Sequence, residues 1–540
     1  MKGEWRRLLA LFALAASVRV LYVWSTPLQS AIASVDAWGY HRLALNLQEG
    51  RGFSLRWEAP FVPDSVRTPL YPLFLWLVRR LLGPEPRMAA FAQAFLDACT
   101  TLCVWRLAAS LGGRRPGRIA ALLYALNPSQ VRYTNELLTE TLLSFLLVLC
   151  VCALARYLRS TRACLAAERV APVPGCPGNR MGAHARFSVE TGWLLLAAAV
   201  SGLAILCKPN AQYLPVIWML VIVLRHGRGW QRALAHAAGM ACVVALMLVP
   251  WVARNRAVFG RSFLSTAFEG NISRVSAPAT LAALRGTFVS PWSAEWEALF
   301  GELVSQAADR FHWDKHWDTL GARDLDVYNH QVYLVAREVL YRHPLAWFRS
   351  HAGGIMRYLE PRIYRVLYHQ FSGGEWPPDV LEDAVMHAWR EIGRGDWAGA
   401  GQVISLERWS RLTPLQRLFW WGTLAGQVIG LSMALRGAWK LRHQPPLVLL
   451  LLGTTVYMLW LPGPIAYERF RVPVMGLILA LVGVSCSGHL TRPFRAVRGS
   501  VPLLRTRPYV HRWWIRGHDL PSDRSVEGEA RSCVGKGPML

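Results

Sequence analysis

The run RRLLALFALAASVRVLYVW, residues 6–24, is followed after eight residues by ASVDAWGYHRLALNLQEG, residues 33–50. The first is apolar over roughly the 20 residues that an α-helix needs to cross a bilayer core. The second should lie where that run leaves the membrane, and near its start it carries an acid, Asp36, beside Trp38, Tyr40, His41 and Arg42. Lys2, Arg6 and Arg7 stand at the start of the run, and neither a short apolar region nor a cleavage pattern marks it as a signal peptide. It is expected to be a retained helix with its N-terminus in the cytoplasm.

Further apolar runs fall near 87–107, 117–134, 138–157, 190–207, 210–225, 233–252, 416–436, 446–461 and 472–487. With 53% hydrophobic and only 17% charged residues in 540, the chain reads as an all-α polytopic membrane protein of about ten spans. Residues 69–83 and 344–359 are candidates for interfacial helices or short spans. The formal charge of +26 comes from 60 Lys and Arg against 34 Asp and Glu. No nucleic-acid-binding motif accompanies it; the Arg clusters instead punctuate the spans, so nucleic acid is not expected as a partner. GGRRPGR (112–118), RYLRSTR (156–162), RHGRGWQR (225–232) and RGAWKLRH (436–443) fall on one side, which the positive-inside rule assigns to the cytoplasm. Residues 25–86 and 253–415 then face outward. The chain divides into an N-terminal transmembrane module, 1–252, with its first outer loop at 25–86, an extracytoplasmic region of mixed structure, 253–415, C-terminal spans, 416–487, and a cytoplasmic tail, 488–540.

The ten cysteines lie in or beside spans or in cytoplasmic segments, outside the two large outer regions, and read as small apolar residues. In FHWDKHWD (311–318), His312, Asp314, His316 and Asp318 alternate; such spacing converges only on a strand, and Phe311, Trp313 and Trp317 suit an aromatic interfacial belt, so no metal is assigned. No cofactor is expected. NIS (271–273) is formally a glycosylation sequon.

Between Val35 and Leu47, Ala37, Tyr40, Ala44 and Leu47 recur at helical spacing, and Gly50 with Gly52 should end the helix. Asp36 and Tyr40 lie one turn apart, and Ala37 and His41 share a face, so carboxylate, phenol and imidazole can project together. The plainer reading makes Asp36 a first-turn acid that favours the helix dipole.

DAWGYHRLALNLQEGRGFS (36–54), VRTPLYPLFLWL (66–77), NPSQVRYTNELLTETLLSF (127–145), PWVARNRAVFG (250–260) and YERFRVPVMGLILAL (467–481), in that order, resemble the GT-C glycosyltransferases. Within them the likeness is to the bacterial branch near protein O-mannosyltransferases and the lipid A aminoarabinose transferase. The resemblance implies a bacterial inner-membrane enzyme that takes a sugar from a polyprenyl-phosphate carrier at the extracytoplasmic face and gives it to an acceptor hydroxyl. It also implies a catalytic acid in the first outer loop, the place of Asp36. There the acid would accept the proton of the attacking hydroxyl, while basic side chains stabilise the departing phosphate. Arg67 stands where aminoarabinose transferases carry a lysine and would approach the carrier phosphate. Lys208, Arg254 and Arg469 are the other candidate phosphate ligands; Tyr40, His41 and Glu140 are candidates for binding sugar or acceptor. For each base the plainer reading is an interfacial side chain reaching lipid headgroups, and for Glu140 it is a helix-start acid. The sugar and the acceptor, whether glycolipid, polysaccharide or protein, are not legible. A flippase of lipid-linked sugars would show matched repeats with broken helices, and none is visible; an O-antigen ligase or polymerase would share the Arg-rich outer loops without needing an acid directly after the first span.

Overall fold

The computed structural model describes residues 2–168, 179–226, 229–287, 289, 293–313, 321–359 and 412–488, with 368, 391, 396, 398 and 399. The sequence calls on residues 488–540 beyond Gly488, on Cys176 and Cys533, and on Asp314, His316 and Asp318 lie outside them. All described residues belong to one compact unit.

Among the described residues, six helices are long and apolar enough to cross a membrane: Gly3–Ser25, Pro86–Gly112, Thr139–Ser160, Glu190–Cys207, Trp230–Phe259 and Pro414–Lys440. In chain order the helices are α1 (Lys2–Ser25), α2 (Val35–Gln48), α3 (Leu70–Leu82), α4 (Pro86–Gly112), α5 (Arg114–Ala125), α6 (Pro128–Tyr133), α7 (Thr139–Glu168), α8 (Asn179–Cys207), α9 (Leu214–His226) and α10 (Trp230–Phe259). There follow α11 (Ala267–Asn271), α12 (Ala277–Leu284), α13 (Ala294–Phe311), α14 (Ala322–Arg342), α15 (Pro344–Met356), α16 (Pro414–Lys440), α17 (Pro445–Trp460) and α18 (Met475–Ser485).

The four remaining expected spans are shorter than a full crossing, and local chemistry accounts for each. Asn127 caps a new helix on Pro128, so 117–134 divides into α5 and α6. Pro209 opens a separate 3₁₀ turn, which leaves α9 only 13 residues. A π-helical turn at Leu449–Gly453 interrupts α17. Pro473 lies in a 3₁₀ segment, Glu468–Val474, and α18 begins only after it, with 11 residues.

The region expected to be mixed forms helices joined by short turns where it is described. Among the described residues no strand forms, and one isolated antiparallel bridge joins Ser54 and Pro63. Helices α12–α14 and the π-helical turn Ile272–Ser276 before them bury Val275, Trp296, Leu299, Leu303, Val332 and Ala336 in two small cores. Arg261, just past the end of α10, holds Asp326 of α14 through Nε (2.7 Å) and Nη2 (3.1 Å) and also pairs with Glu269 of α11. Trp313 stacks on Tyr328 with ring centroids 4.2 Å apart, so the described start of FHWDKHWD packs within this helical region.

Helix α7 is the buried axis of the bundle, packed on α4 and α8, while α1 and α5 lie against α4 and α16 lies against α18. Gly437 makes the last contact possible: a Cβ there would sit 2.0 Å from the Leu481 carbonyl oxygen. The outward faces of α10 and α16 carry Leu246, Val249, Val428, Ile429 and Leu435 largely exposed, as lipid contact requires.

Two charges inside the spans pair with each other. Arg19 of α1, wholly buried, donates from Nε to Asp97 Oδ2 of α4 at 2.6 Å and from Nη1 to the Ala125 carbonyl at 2.8 Å. Tyr124 donates to Asp97 Oδ1 (2.6 Å) and lies 3.0 Å from Gln130 Oε1; Gln130 Nε2 in turn donates to the Val472 carbonyl (2.9 Å). A polar chain thus runs from the first span to the turn that carries Arg469. Asp97→Ala strands a buried guanidinium, and the expected loss is about 3–5 kcal/mol. Thermal unfolding in detergent should show a large drop in Tm for Asp97→Ala and a substantial recovery when Arg19→Met is added.

Candidate active site

Helix α2 starts where Ser34 Oγ accepts from the Ala37 amide at 3.2 Å, and it ends at Gln48 before Gly50 and Gly52, whose φ angles of 72° and 77° suit glycine. Its buried residues Ala37, Tyr40, Leu43 and Ala44 fix its rotation about its axis. Tyr40 packs edge-on to Tyr71 of α3 (5.0 Å), and Tyr71 donates to Gln93 of α4 at 2.7 Å. Gln93 donates to the carbonyls of Thr134 and Glu136, and the Leu137 amide donates to the Ala31 carbonyl. The first loop is thereby fastened to the turn ahead of α7.

This arrangement leaves Asp36 in the first turn of α2 with its side chain half exposed. Arg469 Nη1 donates to Asp36 Oδ2 at 2.8 Å, and Arg67 Nη2 lies 3.6 Å from Oδ1, an ion pair beyond hydrogen-bond range. The same Arg469 donates from Nε to Glu140 Oε1 at 2.6 Å, and Lys208 Nζ reaches that oxygen at 2.7 Å. Glu140 is wholly buried; Lys208 and Arg469 are 9% and 8% exposed. Arg67, Asp36, Arg469, Glu140 and Lys208 therefore form one continuous ionic chain across α2, α7, the end of α8 and the turn before α18. With Asp64, which lies 3.6 Å from Arg67 just as Asp36 does, the three cations face three carboxylates.

Gly39 admits Arg67 to this chain, since a Cβ at Gly39 would lie 2.6 Å from Arg67 Nη2. On its other side Arg67 faces Asp64, whose carboxylate accepts from the Arg67 amide at 2.8 Å. Burial pushes the Asp64 carboxyl up, and the nearby Arg67 and Arg254 offset only part of that shift. Arg254 donates to the Asp64 carbonyl (3.2 Å) and lies among the rings of Phe53, Trp251 and Phe259, so it ties the end of α10 to the first loop.

Six of the eight residues proposed from sequence, Asp36, Tyr40, Arg67, Glu140, Lys208 and Arg469, meet here, and Arg254 joins through Asp64. Tyr40 lies under the Arg67 guanidinium (5.3 Å to the ring centroid), and burial pushes its hydroxyl well up. His41 stands apart, with Arg79 and Arg42 as the charges acting on it. Sequence reading passed over Asp64 and the buried Glu468, both of whose carboxylate oxygens lack a hydrogen-bond partner among the described residues. The signal for Glu468 was present, as an acid directly beside Arg469 in YERF.

Residues 66–167 match the family model described as dolichyl-phosphate-mannose-protein mannosyltransferase. That segment contains Arg67 and Glu140 and two of the five motifs. No curated protein sequence matches the chain significantly. Among solved structures, oligosaccharyltransferase AglB from Archaeoglobus fulgidus, in complex with an inhibitory peptide and a dolichol-phosphate, aligns at 14% identity over 90% of this chain and 50% of its own, with a TM-score of 0.45. ArnT from Cupriavidus metallidurans, bound to undecaprenyl phosphate, aligns at 14% identity over 89% of this chain and 77% of its own, with a TM-score of 0.38. The chain spans about half the length of the archaeal enzyme.

Two outcomes follow from this geometry. Glu140→Ala leaves Lys208 and Arg469 buried without their shared carboxylate and should destabilise the protein by about 3–5 kcal/mol, measured as lost Tm and membrane abundance. Burial, followed by Arg79 and Arg42, pushes the His41 imidazole down to about 4. A depressed value means the ring is neutral at every pH above about 4 and gains its proton only below it. His41→Gln should therefore leave the shape of an activity profile between pH 5.5 and 8 unchanged.

Proposed function

We propose that the chain transfers a sugar from a polyprenyl-phosphate carrier to an acceptor hydroxyl, with Asp36 as the catalytic base. The observation that carries this reading is the contrast between the two carboxylates of one ionic chain. Glu140 is sealed and spends its charge on Lys208 and Arg469, whereas Asp36, on the same Arg469, is half open. Only Asp36 of these two can meet a substrate.

A sugar joined through C1 to a lipid phosphate already carries its leaving group. The enzyme must aim the acceptor oxygen at C1, take its proton as the bond forms and stabilise the phosphate as the C1–O bond breaks. Asp36 accepts that proton. Arg469 and Arg67 flank it and offer charge-assisted donors to the departing phosphate. Glu140 holds Arg469 and Lys208 in place before substrate arrives, which keeps reorganisation out of the reaction step. The matched family's description names a lipid-phosphate sugar donor, in accord with this donor class.

The basic connections at 112–118, 156–162, 225–232 and 436–443 favour a cytoplasmic position for the opposite ends of the helices, and hence an extracytoplasmic site. In a cysteine-free background, Asp36→Cys and Arg67→Cys should react with an impermeant thiol reagent added to intact cells, and Arg442→Cys should not. The reverse pattern would overturn the orientation.

The function is tested by incubating membranes with a panel of radiolabelled polyprenyl-phosphate sugars and following consumption of donor and labelling of product. Asp36→Asn keeps the shape and removes the base, so it should remain at normal abundance and lose at least about 100-fold in turnover. Transfer by Asp36→Asn at the wild-type rate would refute the assignment.

A further inference from the structure

At the far end of α7 from Glu140 lies a second polar cluster, built from four helices. Tyr157 is 17 positions beyond Glu140 on α7, about 25 Å along the helix axis. Its hydroxyl is 2.8 Å from His226 Nε2, at the last residue of α9, and 2.8 Å from His236 Nδ1, in the first turns of α10. Glu190 of α8 completes the group: one oxygen of Glu190 and one ring nitrogen from each of His226 and His236 all lie within 4.8 Å of one another. Glu190 and His226 are buried, and His226 Nδ1 has no hydrogen-bond partner although the residue is only 6% exposed.

We propose that Glu190, His226 and His236, with Tyr157 as the fourth ligand, form a binding site for a divalent transition-metal ion of the zinc class. Two imidazoles with two oxygen ligands suit a tetrahedral ion of intermediate softness, and they do not suit magnesium or calcium, which take oxygen ligands almost alone. Ligand atoms around tetrahedral zinc stand about 3.3 Å apart for bonds near 2.0 Å, so side-chain rotations on the order of an ångström close the observed group around an ion. Charge balances as well. A doubly charged cation with the Glu190 carboxylate and the Tyr157 phenolate sums to zero, and binding releases the one phenolic proton. Neutrality offsets the proximity of Arg225 and Arg232, which stand next to His226 and between the two histidines in sequence.

The site differs from the ionic chain around Asp36 in every residue. What it would do follows from its ligands: α7, α8, α9 and α10 each supply one, so a bound ion cross-links four helices at a single point.

The test uses the full-length protein purified in detergent and stripped with a chelator. Wild type should bind one equivalent of Zn²⁺, show the visible absorption bands of four-coordinate Co²⁺ when loaded with that ion, and melt at a higher temperature with zinc than without. His226→Gln and His236→Gln should each weaken zinc binding at least about 100-fold, at or beyond the upper end of what loss of an outer-shell partner costs, and should abolish the zinc-dependent rise in Tm. Their metal-free melting should match that of metal-free wild type, which separates loss of the ion from loss of the fold. His343→Gln, at an exposed position outside the cluster, should bind as wild type does. Failure of wild type to take up one equivalent of Zn²⁺ or Co²⁺ would overturn the proposal and leave a hydrogen-bonded Tyr–His–His cluster; so would uptake by both Gln variants with undiminished affinity.

Discussion

The pairing of one sealed carboxylate, Glu140, with Lys208 and Arg469 is the contact on which the site depends. A charge with no exposed surface survives in a membrane protein only when opposite charges meet it. Here they arrive from the end of α8 and from a 3₁₀ turn 329 positions away in sequence. The cost of desolvating each cation is offset only while all three groups are present, so the contact tolerates no partial version. It also dictates the form of the chain around it. Lys208 must stop at the start of a turn rather than continue α8, and Pro209 provides that stop. Arg469 must reach inward from irregular backbone, and the Glu468–Val474 segment is held for that purpose by Gln130 and Ser144, both of which donate to the Val472 carbonyl.

Arg469 then passes the constraint outward. Its guanidinium uses one nitrogen for the sealed acid and another for the half-open one, so the position of Asp36 is set by a residue that is itself fixed from below. Arg67 closes the other side, and Gly39 is the residue of α2 that lets it approach. A carboxylate held between two guanidinium groups on a short, capped helix is arranged before any ligand arrives. That is the condition under which electrostatic stabilisation costs no reorganisation at the moment of reaction.

Helix α2 was legible almost to the residue, because its apolar spacing and its terminating glycines are local signals. The place of Asp36 and the order of the motifs were legible for the same reason. What spacing could not give was rotation. Tyr40 and His41 are neighbours about 100° apart around a helix, and which of them turns toward Asp36 was decided by the packing of Ala37, Tyr40 and Ala44 against α3, a tertiary fact. Two of the shortened helices carry a local signal inside the apolar run, Pro128 and Pro473, which apolar content alone overrides. Arg19 and Asp97 were visible as one cation and one acid inside two expected spans; their opposite signs were the clue to a buried pair, and hydropathy alone hides it. The contact between Glu140 and Arg469 had no local signal at all, since nothing near either residue names the other.

Helix α7 explains why the two polar groups of the bundle are related despite their separation. It is the most enclosed of the long helices, apolar from Leu142 to Leu154 on the faces that meet α4 and α8, and it carries Glu140 at one end and Tyr157 at the other. Apolar contact between α7 and α8 resists separation but does little to resist sliding, because a one-turn shift exchanges one leucine contact for another. Polar contacts at both ends change that. Lys208 at the end of α8 meets Glu140, and near the opposite end of the same span Glu190 lies within 4.8 Å of His226 and His236, the two histidines that meet Tyr157, so sliding of α8 along α7 breaks the buried ion pair and carries Glu190 away from this cluster. The register that sets Lys208 beneath Arg469, and through it Asp36, is therefore specified by two points about 25 Å apart along the helix axis rather than by the hydrophobic surface between them.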